Sequence, residues 1–350
     1  MPITKALSSN RVEIKNNITV SCINELVADE QIKYLQTCNP ITKESWTLIN
    51  DLLIPQRPDI QIRVYGHYSQ VCDLTTLSYI NNVENLAIDC LRDAQGIESI
   101  ENLSKLKSLS VGIYNLDNFN FLKSLPATLE KLILGATKSK KPKLDGLLHF
   151  AHLKELYIDS QSNGIELVGD LSALEKIVLR SVSPDDISFI RKLSKLWSLD
   201  IKLGGIKDLS AIADLHNLKY LELWQIRELS DISVIESLSG LQYLFIQSLR
   251  NVKIFPNLEK LYNLRRIYLE TMKGLTTLDG LFLAPNLREF IHVCAQNMTV
   301  ENYERLKEIK SLEKALIRFG SNKKNNQIDE FLTKNKIAIY SHEPFIFNKV

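Results

Sequence analysis

The sequence predicts an α/β solenoid in which short parallel strands stack unit upon unit into one sheet, while brief helical or turn segments close each coil behind it. Three observations carry that prediction. The pattern L-x-x-L-x-L, with other residues at single positions, returns from residue 83 almost to the C-terminus, its first positions falling at Val83, Leu106, Leu129, Leu153, Leu174, Leu196, Leu218, Leu241, Leu264, Leu287 and Leu312. The separations are 23, 23, 24, 21, 22, 22, 23, 23, 23 and 25 residues, a regularity that marks a repeat architecture. Behind the strand pattern runs a second apolar series, as in Ile206, Leu209, Ile212, Leu215 and Leu218, which steps by three.

Within a unit the fourth and sixth positions, such as Leu221 and Leu223, are two apart and share one face of a strand. A unit of 21 to 25 residues is too short for a full crossover helix, so stacked parallel strands with a thin outer side are the geometry that fits. An open stack exposes apolar ends and unpaired edges, so caps are expected. Residues 1–57 break the pattern and are read as an N-terminal helical cap, with amphipathic helices at about 22–36 and 42–54, the second stopped by Pro55 and Pro58. The solenoid proper then spans 58–320, its first strand carrying Ile60, Ile62 and Val64. Residues 321–350 form a C-terminal cap with a helix at about 325–335 and a strand at Ile337–Tyr340, preceded by a helical stretch near 299–310; His292 stands where earlier units are aliphatic.

The units resemble the internalin-like, roughly 22-residue class of leucine-rich repeats, on segments such as Ile206-Lys-Asp-Leu-Ser-Ala-Ile-Ala-Asp-Leu-His-Asn-Leu-Lys-Tyr-Leu-Glu-Leu223 and Leu229-Ser-Asp-Ile-Ser-Val-Ile-Glu-Ser-Leu238. The resemblance covers about residues 60–320 and implies a parallel sheet on the concave face. That class places Asn at the ninth position to bond the turn backbone. Here that position holds Leu91, Tyr114, Thr137, Gln161, Val182, Gly204, Ile226, Leu249 and Met272, so the ladder is missing and the turn must be made differently. The segment from Trp46 to Leu53, followed by Arg57 to Tyr68, is similar to the start of bacterial cytosolic leucine-rich-repeat proteins.

Composition narrows function by exclusion. Lys plus Arg number 43 against 41 Asp plus Glu, so the net charge of +2 supplies no global attraction to nucleic acid or anionic membrane. Cys22, Cys38, Cys72, Cys90 and Cys294 are odd in number, scattered and without a CxxC pair; they read as buried free thiols. The N-terminus lacks an apolar signal region and no stretch approaches about 18 continuous apolar residues, which reads as a cytoplasmic protein with no membrane span. No GxGxxG, P-loop, HExxH or GxSxG occurs, and no cofactor is expected. His149 and His152 have metal-compatible spacing but no carboxylate or Cys companion. The basic run from Lys138 to Lys143 reads as a solvated loop, its alternative being phosphate or nucleic-acid contact. Asp185 and Asp186 read as charge at the start of a helical segment.

The informative surface is the set of outward columns formed by the third, fifth and seventh positions of the units. Tyr157 stands in the fifth column, and Tyr220, Trp224, Tyr243, Phe245 and Tyr268 fall in three consecutive late units, bordered by Asp200, Glu222, Arg266 and Glu270. Aromatic and arginine residues within a charged rim are the composition of binding hot spots. Rings on a sheet face also stack across strands and stabilise it, which is the competing reading. The expected function is a protein-binding scaffold, a monomer when unbound, that recognises a partner protein and not nucleic acid; a toxin-neutralising immunity protein is one form of it. An enzyme grafted on the solenoid is the alternative, with Asp200, Glu222 and Glu270 its nearest acidic cluster.

Overall fold

Alternation along each strand decides what is buried: fourth and sixth positions such as Leu199, Ile201, Leu221, Leu223, Leu244 and Ile246 are wholly buried, while the residues between them are half-buried. A computed structural model describes residues 4–15, 17–66, 71–184 and 186–348 of the chain, which divides into two compact units, 1–174 and 175–350. The division falls within the repeat array. His67, Tyr68 and Asp185 lie outside the described residues.

In the first unit the parallel strands of the long sheet are Arg11–Ile14, Tyr34–Thr37, Gln61–Tyr65, Asn85–Asp89, Ser108–Gly112, Lys131–Leu134 and Glu155–Asp159, each paired with the next, and Thr4–Ser8 adds an antiparallel edge. Three of these strands, Thr4–Ser8, Arg11–Ile14 and Tyr34–Thr37, fall where a helical cap was expected. The first helix, Val20–Ala28, stops at Asp29, whose φ of −90° and ψ of 93° leave the helical region, so the stretch expected to stay helical to residue 36 turns into the strand Tyr34–Thr37. Its register with Val12 and Ile62 buries Leu35 completely between neighbouring strands, a tertiary gain that overrides local amphipathicity. The second helix runs Lys43–Leu48 and continues as a single wider turn over Ile49–Leu53. Thr42 caps it, its hydroxyl accepting the Ser45 amide at 3.3 Å.

Arg57 ties these segments together. Its guanidinium donates to the carbonyls of Leu26 at 3.1 Å, Asp29 at 2.8 Å and Ile32 at 2.7 Å, and to both oxygens of Asp59 at 2.9 and 3.0 Å. Only Arg offers a planar fork with enough donors for that set.

Among its described residues the second unit has eight parallel strands: Lys176–Arg180, Ser198–Lys202, Tyr220–Trp224, Tyr243–Gln247, Arg266–Glu270, Glu289–Val293, Lys314–Ile317 and Ala338–Ile339. Return segments in both units are short 3₁₀ turns, such as Asp145–His149, Ser210–Asp214 and Ser233–Ser237. The sequence explains why they are 3₁₀ and not α: an apolar series stepping by three matches three residues per turn, and Ile206, Leu209, Ile212 and Leu215 are all buried. Asp186, Asp208 and Asp231 each accept the amide two residues on, at 2.7, 2.7 and 2.8 Å, and so start these turns.

The missing ninth-position asparagine is replaced by two devices. Residues at the eighth position, Ser160, Ser181, Leu203, Gln225, Ser248, Thr271 and Cys294, take left-handed backbone with φ between 50° and 72°, turning the chain sharply after each strand. This frees the ninth position to point inward, where Val182, Ile226, Leu249, Met272 and Ala295 join the core. On the opposite side of the coil Asn217, Asn263 and Asn286 donate to the carbonyls of Ser194, Ser239 and Tyr262 in the preceding unit at 2.6, 2.9 and 2.8 Å. The chain thus keeps an asparagine ladder, moved to the turn before the strand.

At the C-terminal end, a 3₁₀ segment covers Val300–Glu308, a helix covers Asn322–Lys334, and Ala338–Ile339 pairs with the strand Lys314–Ile317. His292 occupies a core position with no exposed surface, its Nδ1 2.8 Å from the Tyr303 hydroxyl and its Nε2 without a hydrogen-bond partner among the described residues. Burial pushes its pKa down to about 4. The unfolded chain therefore binds a proton that the folded chain rejects, so this site's contribution to stability is complete above about pH 6.5 and is lost as the pH falls toward 4. Urea unfolding between pH 7 and pH 4 should show the parent losing on the order of 3 kcal/mol more than a His292→Leu, Tyr303→Phe double variant, in which an aliphatic residue and a ring without a hydroxyl replace the pair. Equal pH dependence in the two proteins would contradict a neutral buried imidazole.

The thiols divide by environment. All five are free, but only Cys72 and Cys90 are buried; Cys22 and Cys38 are half-buried and Cys294 is exposed, which corrects the expectation of five buried thiols. Cys294 is exposed because it occupies the eighth-position turn outside the core.

Candidate binding face

The strand register of the second unit converts sequence columns into rows. Tyr220 is aligned with Tyr243, then Arg266, then Glu289. Beside that row, Asp200 is followed by Glu222, Phe245, Tyr268 and Ile291, and in the third row Lys202 is followed by Trp224, Gln247, Glu270 and Val293. The five aromatic residues picked out by the sequence thus occupy one area of one face, with Phe245 and Tyr268 stacked at a centroid separation of 5.0 Å and Tyr220 edge-on to Tyr243 at 5.2 Å. Tyr157 lies in the first unit, half-buried on the strand Glu155–Asp159.

The charges around the rings are engaged with one another. Lys202 Nζ sits 3.1 Å from both Asp200 and Glu222, and the Tyr220 hydroxyl donates to Glu222 at 2.7 Å. Burial, reinforced by Glu222 next to it, pushes the Asp200 carboxyl up to about 6. Burial likewise pushes the Tyr220 hydroxyl up, and that of Tyr243 to about 12, so both rings are neutral at physiological pH. Glu270 accepts from Gln247 at 3.0 Å. The acidic residues of the alternative enzymatic reading are therefore held in ion pairs and hydrogen bonds on a sheet face. A groove of about 760 Å³ opens elsewhere in the unit, along the eighth-position turns, lined by Ser181, Gln225, Arg227, Ser248, Arg250 and Lys273 among others.

One part of the face is covered by the chain itself. After Tyr340 the C-terminal segment turns back over the sheet, and its side chains alternate: Glu343, Phe345 and Phe347 are half-buried, while Pro344, Ile346 and Asn348 are exposed. Glu343 pairs with Lys314 Nζ at 2.7 Å, and Arg266 donates to the Glu343 carbonyl at 3.1 Å. Phe345 packs on Tyr243 with ring centroids 5.1 Å apart, under the guanidinium of Arg265 at 4.7 Å. Phe347 meets Trp197 at 5.3 Å and Tyr220 at 6.1 Å. Arg266, read from sequence as part of an open rim, is consequently buried at 4% exposure, paired with Glu289 and roofed by Phe345. Trp224, Phe245 and Tyr268, one or two columns further along their strands, have no ring contact with the segment among the described residues.

The residues that receive the segment include Trp197, Lys219, Gln242 and Arg265, all at the second position of their units, which the column reading left aside. A signal for them existed: after the strand Ala338–Ile339, Glu343, Phe345 and Phe347 place an acid and two rings at every second residue, which is strand periodicity.

The other sequence candidates stay dispersed. Lys138, Lys140, Lys141 and Lys143 are exposed on a loop of the first unit. His149 Nε2 lies 2.8 Å from the Leu125 carbonyl, and among the described residues there is no group of three His, Cys, Asp or Glu side chains suited to a metal ion. Asp186 serves its turn, and no helix among the described residues is long and apolar enough to cross a membrane.

Comparison with solved structures places the architecture. The internalin InlF of Listeria monocytogenes superposes with a TM-score of 0.57 at 18% identity, over 87% of this chain and 86% of that one. The functional domain of InlJ from Listeria monocytogenes gives 0.50 at 13% identity, over 87% and 72% of the two chains. The chain has the leucine-rich-repeat fold: parallel strands on one side and short 3₁₀ turns on the other. It matches no protein-family model and no curated protein.

Proposed function

We propose that this chain is a binding scaffold that recognises another protein through the exposed sheet face of its second unit, centred on Trp224, Phe245 and Tyr268. The observation that carries the reading is the placement of three large rings, only half-buried, in adjacent rows of one rigid face, bordered by Gln247, Glu270 and the Asp200–Lys202–Glu222 cluster. Rings left partly in water at this density are a liability for a free monomer and an asset for an interface. The carboxylates there are engaged with lysine, glutamine and tyrosine, which supports a recognition surface. The free thiols fit a reducing, cytoplasmic setting. A toxin-neutralising immunity protein is one form such a scaffold takes, because that role needs a rigid complementary surface and no catalytic group.

The test pairs two measurements on the partner retained from a lysate of the source cells. Ala at Trp224 or Phe245 should weaken its binding by about 2 kcal/mol or more, roughly thirtyfold, with a smaller change in thermal stability. Ser198→Ala, on the same face, should leave affinity unchanged. Rings that only stack would show the reverse: a lower melting temperature with intact affinity.

A further inference from the structure

We propose that the strip beside Trp224, Phe245 and Tyr268, formed by Trp197, Tyr220, Tyr243, Arg265, Arg266 and Lys314, is a docking groove for an extended acidic peptide bearing alternate aromatic residues, and that the chain's own C-terminal segment occupies it in cis. The segment shows what the groove recognises. A carboxylate at one residue meets Lys314, an aromatic ring two residues on enters between Tyr243 and Arg265, and a second ring two further on closes against Trp197 and Tyr220. Side chains between them face water, Ile346 at 78% exposure, so they take no part in recognition.

The manner of attachment makes the segment displaceable. Among the described residues Tyr340 is the last whose amide bonds a sheet carbonyl, that of Ala315 at 3.0 Å. From there to residue 348 the backbone groups meet side chains: the Ile346 carbonyl accepts from Arg265 at 2.8 Å, and Asn348 exchanges bonds with Gln242 at 2.8 and 3.2 Å. A peptide from another molecule, extended and alternating in the same way, satisfies the same donors and acceptors without disturbing a ladder bond. Recognition by pockets for alternate side chains is how extended peptides gain specificity on other sheet surfaces. The tethered segment competes through its effective concentration, so a partner must either bind more tightly or follow release of the tail.

This inference rests on reading the second unit as a binding surface, yet its test is independent of the patch at Trp224, Phe245 and Tyr268. The probe is a fluorescent, end-blocked peptide of residues 342–348, His-Glu-Pro-Phe-Ile-Phe-Asn, titrated against the full-length chain. A Phe345→Ala, Phe347→Ala variant, which releases the tail while keeping the groove, should bind the peptide at least about tenfold more tightly than the parent. Adding Tyr243→Ala to that variant should abolish the gain, and a peptide with both Phe residues changed to Ala should not bind. If the released variant does not fold, Glu343→Lys, which sets two cations against each other at Lys314 and spares both rings, serves in its place. A folded released variant that binds the peptide no better than the parent, or binds it equally with Tyr243→Ala, overturns the proposal. That result would leave the patch reading intact, since Phe245→Ala can still weaken a captured partner; conversely, peptide binding with no effect of Phe245→Ala would leave the groove and remove the patch.

Discussion

Arg57→Ala should lower the free energy of unfolding by about 3 to 5 kcal/mol, an effect usually reserved for removal of a buried ion pair. The residue is 7% exposed, and its side chain holds three carbonyls from the end of the first helix and the turn after it, together with Asp59. Without it, the buried Leu26 and Ile32 carbonyls lose their donor and each carries a desolvation cost, while the partly exposed Asp59 can return to water. Arg57→Lys should rescue little, because one ammonium cannot span that set of acceptors. Arg57 also holds the Asp59 carboxyl well below the usual carboxylate range. A carboxyl lowered in the folded state stabilises above its unfolded value, so this contribution is present above about pH 4 and fades as the pH falls through the folded value. Equilibrium urea unfolding of the full-length variants at pH 7 measures the effect, and a loss under about 1 kcal/mol would show that water can replace the guanidinium.

Leu244→Ala should cost about 3 to 5 kcal/mol, and Leu221→Ala a similar amount. Both side chains have no exposed surface, and the register places Leu221, Leu244 and Ile267 side by side on successive strands. Strands held on both sides by ladder hydrogen bonds cannot close in on the void, so most of the cavity persists and the cost sits high in the usual range. Ser108→Ala and Ser198→Ala, at half-buried outward positions, should be near neutral. A similar cost at both kinds of position would put the strands out of register by one residue, which exchanges the faces of every side chain.

The repeat core was readable because its signal is redundant. Each unit states the same spacing, and the core positions from Leu86 to Ile317 follow from counting. Short helical or turn segments behind the strands were equally legible from the three-residue step, and their 3₁₀ form emerged with the structure. The strand Tyr34–Thr37 was not, because its four residues carry no L-x-x-L-x-L pattern and are fixed by register with Val12 and Ile62 across 23 and 27 residues of chain. Left-handed residues such as Leu203 and Gln225 were hidden for a different reason: neither favours that backbone, and the turn is imposed by burial of the residue that follows. At the candidate site, the columns were legible and their coverage was not. Contacts between Asn348 and Lys219 or Gln242 span 129 and 106 residues, beyond the reach of any local pattern.

We propose that the ring face of the second unit meets another protein. Site-specific photo-cross-linking in the source cells tests it most directly, with a benzophenone side chain at Phe245, on that face, or at Leu283, which is 44% exposed on the 3₁₀ turn Asp279–Leu283. A discrete protein adduct is expected from position 245 and none from position 283. No adduct from 245 in a folded protein, or the same adducts from both positions, would contradict it.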